Sequence, residues 1–82
     1  MTTKYFLDKR VKNIMEGGTI IWHHTKGDVK DTFAEVKRLG EKVKIDNEIC
    51  LNWRIIQRTI DENNFEVEDI IVYDYEKEGK KG

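Results

Sequence analysis

The chain has no serine, no proline and a single cysteine among its 82 residues. Without serine there is no serine nucleophile. With Cys50 alone no intramolecular disulfide can form, which fits a reducing compartment such as the cytoplasm. No apolar run approaches the roughly 20 residues that span a bilayer, so no membrane partner is expected. Residues 1–12 alternate charged and apolar side chains and lack the apolar core and small-residue cleavage site of a secretory leader. Repeats, low-complexity stretches and linkers are absent too, and at this length one small domain covering 1–82 is expected. Its last residues, 76–82, are charged and glycine-flanked and are expected to fray.

What is present is charge. Charged residues make up 38 % of the chain, equal to the hydrophobic share and above the roughly 25 % of an average soluble protein. Lys, Ile, Glu, Asp and Asn dominate, the composition expected of an AT-rich bacterial or phage genome. The net charge of −1 hides an asymmetry: residues 1–44 hold ten Lys/Arg against six Asp/Glu, and residues 45–82 hold five against ten. One half can therefore face an anionic partner, or two copies can meet basic half to acidic half.

Periodicity predicts an α+β fold. From Phe6 to Glu16, Leu7, Val11, Ile14 and Met15 recur at helical spacing and Gly17-Gly18 gives a stop, so an N-terminal helix is expected. Thr19 to Thr25 is β-branched and aromatic and reads as a strand. Asp28 can cap a helix through Leu39, with Val29, Phe33, Val36 and Leu39 on one stripe and Gly40 ending it. Lys42 to Trp53 reads as a hairpin turning at Asp46-Asn47. Trp53, Ile56 and Ile60 then form the stripe of a last helix ending at Asn63-Asn64. Phe65 to Tyr75 is a strand apolar on both sides, which suits an interior position. After the first helix the order is β-α-β-β-α-β, that of a ferredoxin-like split β-α-β fold with an antiparallel four-stranded sheet.

Little here carries chemistry. His23 and His24 are adjacent, so on a regular strand they point to opposite faces and cannot share a metal. With Cys50 they fall short of the three or four ligands that zinc takes. Neither a metal nor a cofactor is expected. Cys50 between Ile49 and Leu51 reads as a buried, unreactive thiol. Lys26-Gly27-Asp28 precedes a helix, but Asp28 would occupy the backbone N–H groups that a phosphate needs. No set of nucleophile, base and orienting group is visible, so the chain is not read as an enzyme.

Two binding classes remain. Trp22, Trp53, Tyr73 and Tyr75 are many large rings for so short a chain, and Trp and Tyr are favoured interface anchors. They support a non-enzymatic module that binds a protein partner or a second copy of itself, as a small phage or mobile-element modulator of a host factor would. The alternative is a nucleic-acid or nucleotide binder using Lys26, Lys30, Lys37, Arg38, Lys42, Lys44, Arg54 and Arg58. In that reading, basic side chains beside aromatics on a sheet would hold phosphates and stack bases.

Overall fold

The computed structural model describes residues 1–13, 15, 17–46, 49–63 and 65–79. Its architecture is mostly β, with 53 % of the described residues in strands, one helix among them, and an antiparallel sheet curled into a half-barrel. The elements are β1 (Thr2–Asn13), β2 (Thr19–His23), β3 (Val29–Lys30), α1 (Phe33–Glu41), β4 (Cys50–Ile60) and β5 (Glu66–Asp74). A 3-10 turn, Lys26–Asp28, leads into β3, and a single wide helical turn, Tyr75–Gly79, follows β5. The strand order is β2-β1-β4-β5, with β3 also paired to β1. Every pairing is antiparallel.

The expected N-terminal helix is therefore corrected to a 12-residue strand at the centre of the sheet. The reason lies in the spacing. Leu7 and Val11 are four apart, which puts them on one face of a helix and equally on one face of a strand. The alternation decides for the strand: Tyr5 and Leu7 pack towards the helix, while Phe6 and Asp8 are buried on the opposite face. Gly17 and Gly18, read as a helix stop, take φ of 74° and 83° in the turn that returns the chain to β2, where glycine alone pays no steric cost. Ile14, also on the expected stripe, lies outside the described residues.

The last expected helix, over 53–63, is corrected in the same way. Trp53, Ile56 and Ile60 lie on one 11-residue strand, β4, and Asn64 falls outside the described residues. β4 carries buried apolar side chains on both faces. Trp53 and Ile55 lie under α1, and Ile56 is buried on the opposite face. The hairpin expected over 42–53 is replaced by irregular chain from Val43 to Asp46 that leads into β4; Asn47, its expected turn residue, lies outside the described residues. β5 matches the expected last strand within a residue at each end, but it is an edge strand and not an interior one. Together these overturn the ferredoxin-like arrangement.

α1 starts later than expected. Asp28 closes the 3-10 turn instead, its carboxylate accepting from the Thr25 backbone N–H at 2.9 Å. The true cap is Thr32, whose hydroxyl accepts from the Glu35 backbone N–H at 3.3 Å and donates to the Glu35 carboxylate at 2.9 Å. The helix covers β1 and β4, and the core between them holds Leu7, Val36, Trp53 and Ile55. Trp53 is 2 % exposed and stacks on Tyr73 at 5.1 Å and Tyr75 at 5.5 Å between centroids.

Candidate binding surface

Among the described residues one helix covers one side of the sheet, and no helix or strand covers the other face. β1 contributes Phe6 and Asp8 to that face, β4 contributes Arg54, Ile56 and Arg58, β5 contributes Asp69 and Ile71, and Trp22 and His24 arrive from β2 and the loop beyond it. They line one depression of about 380 Å³. Side chains from both edge strands reach the same hollow.

The hollow is built from paired charges and stacked rings. The buried carboxylate of Asp8 accepts from Nε and Nη2 of Arg54, each at 2.9 Å. The Arg54 guanidinium in turn lies over the Trp22 ring, 3.7 Å from its centroid. Arg58 repeats the pattern. Its Nε and Nη2 donate to Asp69 at 2.9 Å each, Nη1 sits 2.9 Å from Glu66, and its guanidinium carbon is 4.6 Å from the Phe6 centroid. Donation from Arg58 holds the Asp69 carboxyl below its ordinary value. The His24 ring packs on Phe6 at 4.5 Å, with Nδ1 3.8 Å from Asp8. Each arginine thus meets a carboxylate, and the guanidinium planes cover aromatic faces, a favourable cation–π arrangement.

The second feature is the rim. β5 pairs with β4 on one side and, among the described residues, with no strand on the other. Along it Val67, Ile70 and Ile71 are 54 %, 43 % and 53 % exposed, and Phe65 just before it is 68 % exposed. Its far end is tied down: Asn52 on β4 donates to Asp74 at 3.0 Å and accepts from the Glu76 backbone N–H at 3.0 Å. Glu78 accepts from the Asp74 backbone N–H at 3.2 Å. The edge left open is the stretch before that clasp.

The fold separates the residues singled out from sequence. Trp53, Tyr73 and Tyr75 form one stack under the helix, and Trp22 stands alone on the opposite face. Of the basic residues, Arg54 and Arg58 meet in the hollow. Lys37 pairs with Glu41 at 3.7 Å and sits over the Tyr73 ring at 5.0 Å. Arg38 is in the last turn of α1, Lys42 caps that helix, Lys44 follows in the irregular chain, and Lys26 and Lys30 lie along the β2–β3 rim. They form no single patch. Sequence reasoning missed Asp8, Phe6, His24 and Asp69 as one group. The available signal was the period-two alternation of β1, which sets Phe6 and Asp8 on the face opposite Leu7.

Among the described residues no group of three His, Cys, Asp or Glu side chains is placed to hold a metal ion, and no helix is long and apolar enough to cross a membrane. Comparison of the chain finds no match to a family model, to a curated protein or to a solved structure.

Proposed function

We propose that the chain is a non-enzymatic interaction module of the cytoplasm that binds a protein partner or a second copy of itself by adding a strand at β5. The observation that carries this is the open β5 edge with Val67, Ile70 and Ile71 exposed along it. An edge strand offers unpaired N–H and C=O groups to any extended segment. Natural edges that must stay single are blunted by charged side chains, proline or bulges; β5 has no lysine or proline, and its carboxylates leave the stretch Ile70–Tyr73 uncharged. A small phage or mobile-element modulator of a host factor would act in this way.

Nucleic-acid or nucleotide binding draws its support from the arginine–tryptophan stacking at Trp22, which resembles a base-stacking platform in its chemistry. It draws less support from charge. Arg54 and Arg58 are matched by Asp8, Asp69 and Glu66, and a polyanion site needs unmatched cations.

One substitution tests the proposal. Val67→Lys places a charge on the open edge without touching the core. Light scattering and capture from source cells are compared for the two proteins. Association, with itself or with a partner, that is lost in V67K supports strand addition. Association that V67K leaves intact overturns it, as does a monomer that retains nothing. Binding that weakens steeply with salt, linearly on a log–log plot, would move the assignment to phosphate recognition.

A further inference from the structure

We infer that the occupant of the β5 edge is an extended segment of another protein that carries a large aromatic side chain and, three residues further on, a lysine or arginine. This rests on the reading of β5 as an open edge and names what that edge selects.

The length of the site follows from the register. Ile55 pairs with Tyr73 and Ile56 with Ile71, so Val72 has no partner on β4, and Val67 is skipped in the same way between Glu66 and Glu68. Such extra residues bend a strand and interrupt its ladder. The regular part of β5 is therefore Glu68–Ile71, paired with Thr59, Arg58, Gln57 and Ile56. So short a stretch offers an incoming strand few backbone hydrogen bonds, and its side chains must add affinity as well as specificity.

Alternation divides this stretch between the two faces of the sheet. Ile71 and Asp69 line the hollow, while Ile70 and Glu68 lie on the side of the helix. The row Phe6–Ile56–Ile71 crosses three strands and makes an apolar trough that opens at the β5 edge, where Ile71 is 53 % exposed. An ion pair stands on each side of the trough, Asp8–Arg54 and Arg58–Asp69. Their charges are matched, so the trough favours a neutral side chain. Their guanidiniums already lie over the rings of Trp22 and Phe6. A side chain of the added strand that points inward level with Ile71 enters this trough, and an aromatic one gains both burial and cation–π attraction there.

The base is set by the other end of the stretch. Every charged residue of β5 is a carboxylate. Arg58 meets Glu66 and Asp69, whereas Glu68 faces Thr59 and has no ion-pair partner among the described residues. A cation level with Glu68 supplies one, and opposite charges across a strand pair are favourable. The same acidity disfavours the β5 edge of a second copy, which brings more carboxylates and no base. Run antiparallel, as every pairing in the sheet runs, the segment sets its ring opposite Ile71, an apolar residue opposite Ile70, a neutral polar one opposite Asp69 and its base opposite Glu68. Ring and base three apart fall on opposite faces of a strand, as Ile71 and Glu68 do.

A blocked octapeptide tests the assignment. It holds phenylalanine, valine, threonine and lysine in that order, with two threonines on each side. Binding is followed by calorimetry and by the emission of Trp22, which lines the hollow; Trp22→Phe assigns the emission change. Alanine in place of the phenylalanine should weaken binding at least about tenfold and abolish that change. Glutamate in place of the lysine should weaken it about threefold to tenfold. Glu68→Lys should restore the glutamate peptide and weaken the original. Glu68 is exposed, and near-ultraviolet circular dichroism of the Trp53–tyrosine stack checks that the variant is folded.

Equal binding of the phenylalanine and alanine peptides overturns the anchor and leaves strand addition standing. N-acetyl-phenylalaninamide that binds as tightly as the peptide makes the hollow a small-molecule site and overturns the segment. A dimer of the protein alone that Val67→Lys abolishes makes the occupant a second copy, which overturns it too. If no peptide binds while Val67→Lys still abolishes association in source cells, this occupant is wrong and the open-edge reading stands. If Val67→Lys changes nothing either, both fall.

Discussion

Gly40, in the last turn of α1, lies directly against the six-membered ring of Trp53 on β4. A Cβ built at Gly40 collides with Cζ3, Cη2 and Cε3 of that ring. The helix sits this close to the sheet because position 40 has no side chain, and the ring is held from behind by Tyr73 and Tyr75.

Gly40→Ala should therefore destabilise the protein, against the usual gain of about 1 kcal/mol for alanine over glycine in a helix. Overpacking costs about 1–3 kcal/mol, and more where the neighbour cannot yield. A net loss is expected as a lower urea midpoint with an unchanged m-value. A stabilised Gly40→Ala would mean that α1 does not rest on Trp53.

The Asp8–Arg54 pair should be costlier to break from one side than its count of contacts suggests. Asp8→Ala leaves the Arg54 guanidinium partly buried, facing Trp22 and no carboxylate. A loss of about 2–4 kcal/mol is expected, while Asp8→Asn, which keeps an acceptor oxygen, should lose less. Trp22 reports on the same site: its fluorescence should change in Asp8→Ala, because the guanidinium over the ring is no longer anchored. Equal stability for all three proteins would show the pair to be ornamental.

Acid should weaken the β1–turn contact at a defined point. For Asp28, burial pushes the carboxyl up, but the Thr25 backbone N–H, the nearby Lys9 ammonium and the Thr25 hydroxyl together outweigh it, and the net shift is downward from 3.8. A depressed folded-state pKa means that the carboxylate contributes stability above the unfolded value of 3.8, and that this is lost as pH falls through the lower folded value. Urea unfolding below pH 4 should show a smaller fall in stability for Asp28→Asn than for the unmodified chain. Parallel curves would remove Asp28 from the acid transition.

Cys50 should be slow to react. It is buried, burial pushes its thiol up from 9.0, and Sγ lies 3.7 Å from the Asn52 carbonyl oxygen. Since the thiolate is the nucleophile, alkylation at pH 8 should run at least about tenfold slower in the folded chain than in urea. Equal rates would place Cys50 at the surface.

The errors of sequence reading have one cause. Spacings of four satisfy both a helix and a strand, so Leu7–Val11 on β1 and Ile56–Ile60 on β4 could be taken for helical stripes. β2 and β5 were legible because β-branched residues crowd there between turn signals. The body of α1 was legible because Phe33, Val36 and Leu39 recur at three, a spacing that no strand face shares. Its start was not, because Asp28 and Thr32 are both competent caps and only the surrounding fold assigns one to the 3-10 turn and the other to the helix.

By itself the sequence determined the small size, the lone unpaired thiol, the division into a basic and an acidic half, the β2 and β5 segments and the body of the helix. These follow from composition and local pattern, which act over a few residues. Tertiary structure decided that the chain from Thr2 to Asn13 is a central strand, because its longest pairing is with β4, some fifty residues away. It decided likewise that Asp8 meets Arg54, that Trp53 is core while Trp22 is not, and that β5 is left with an open edge. Each depends on which strand lies beside which, and that neighbour is chosen by packing across the whole sheet.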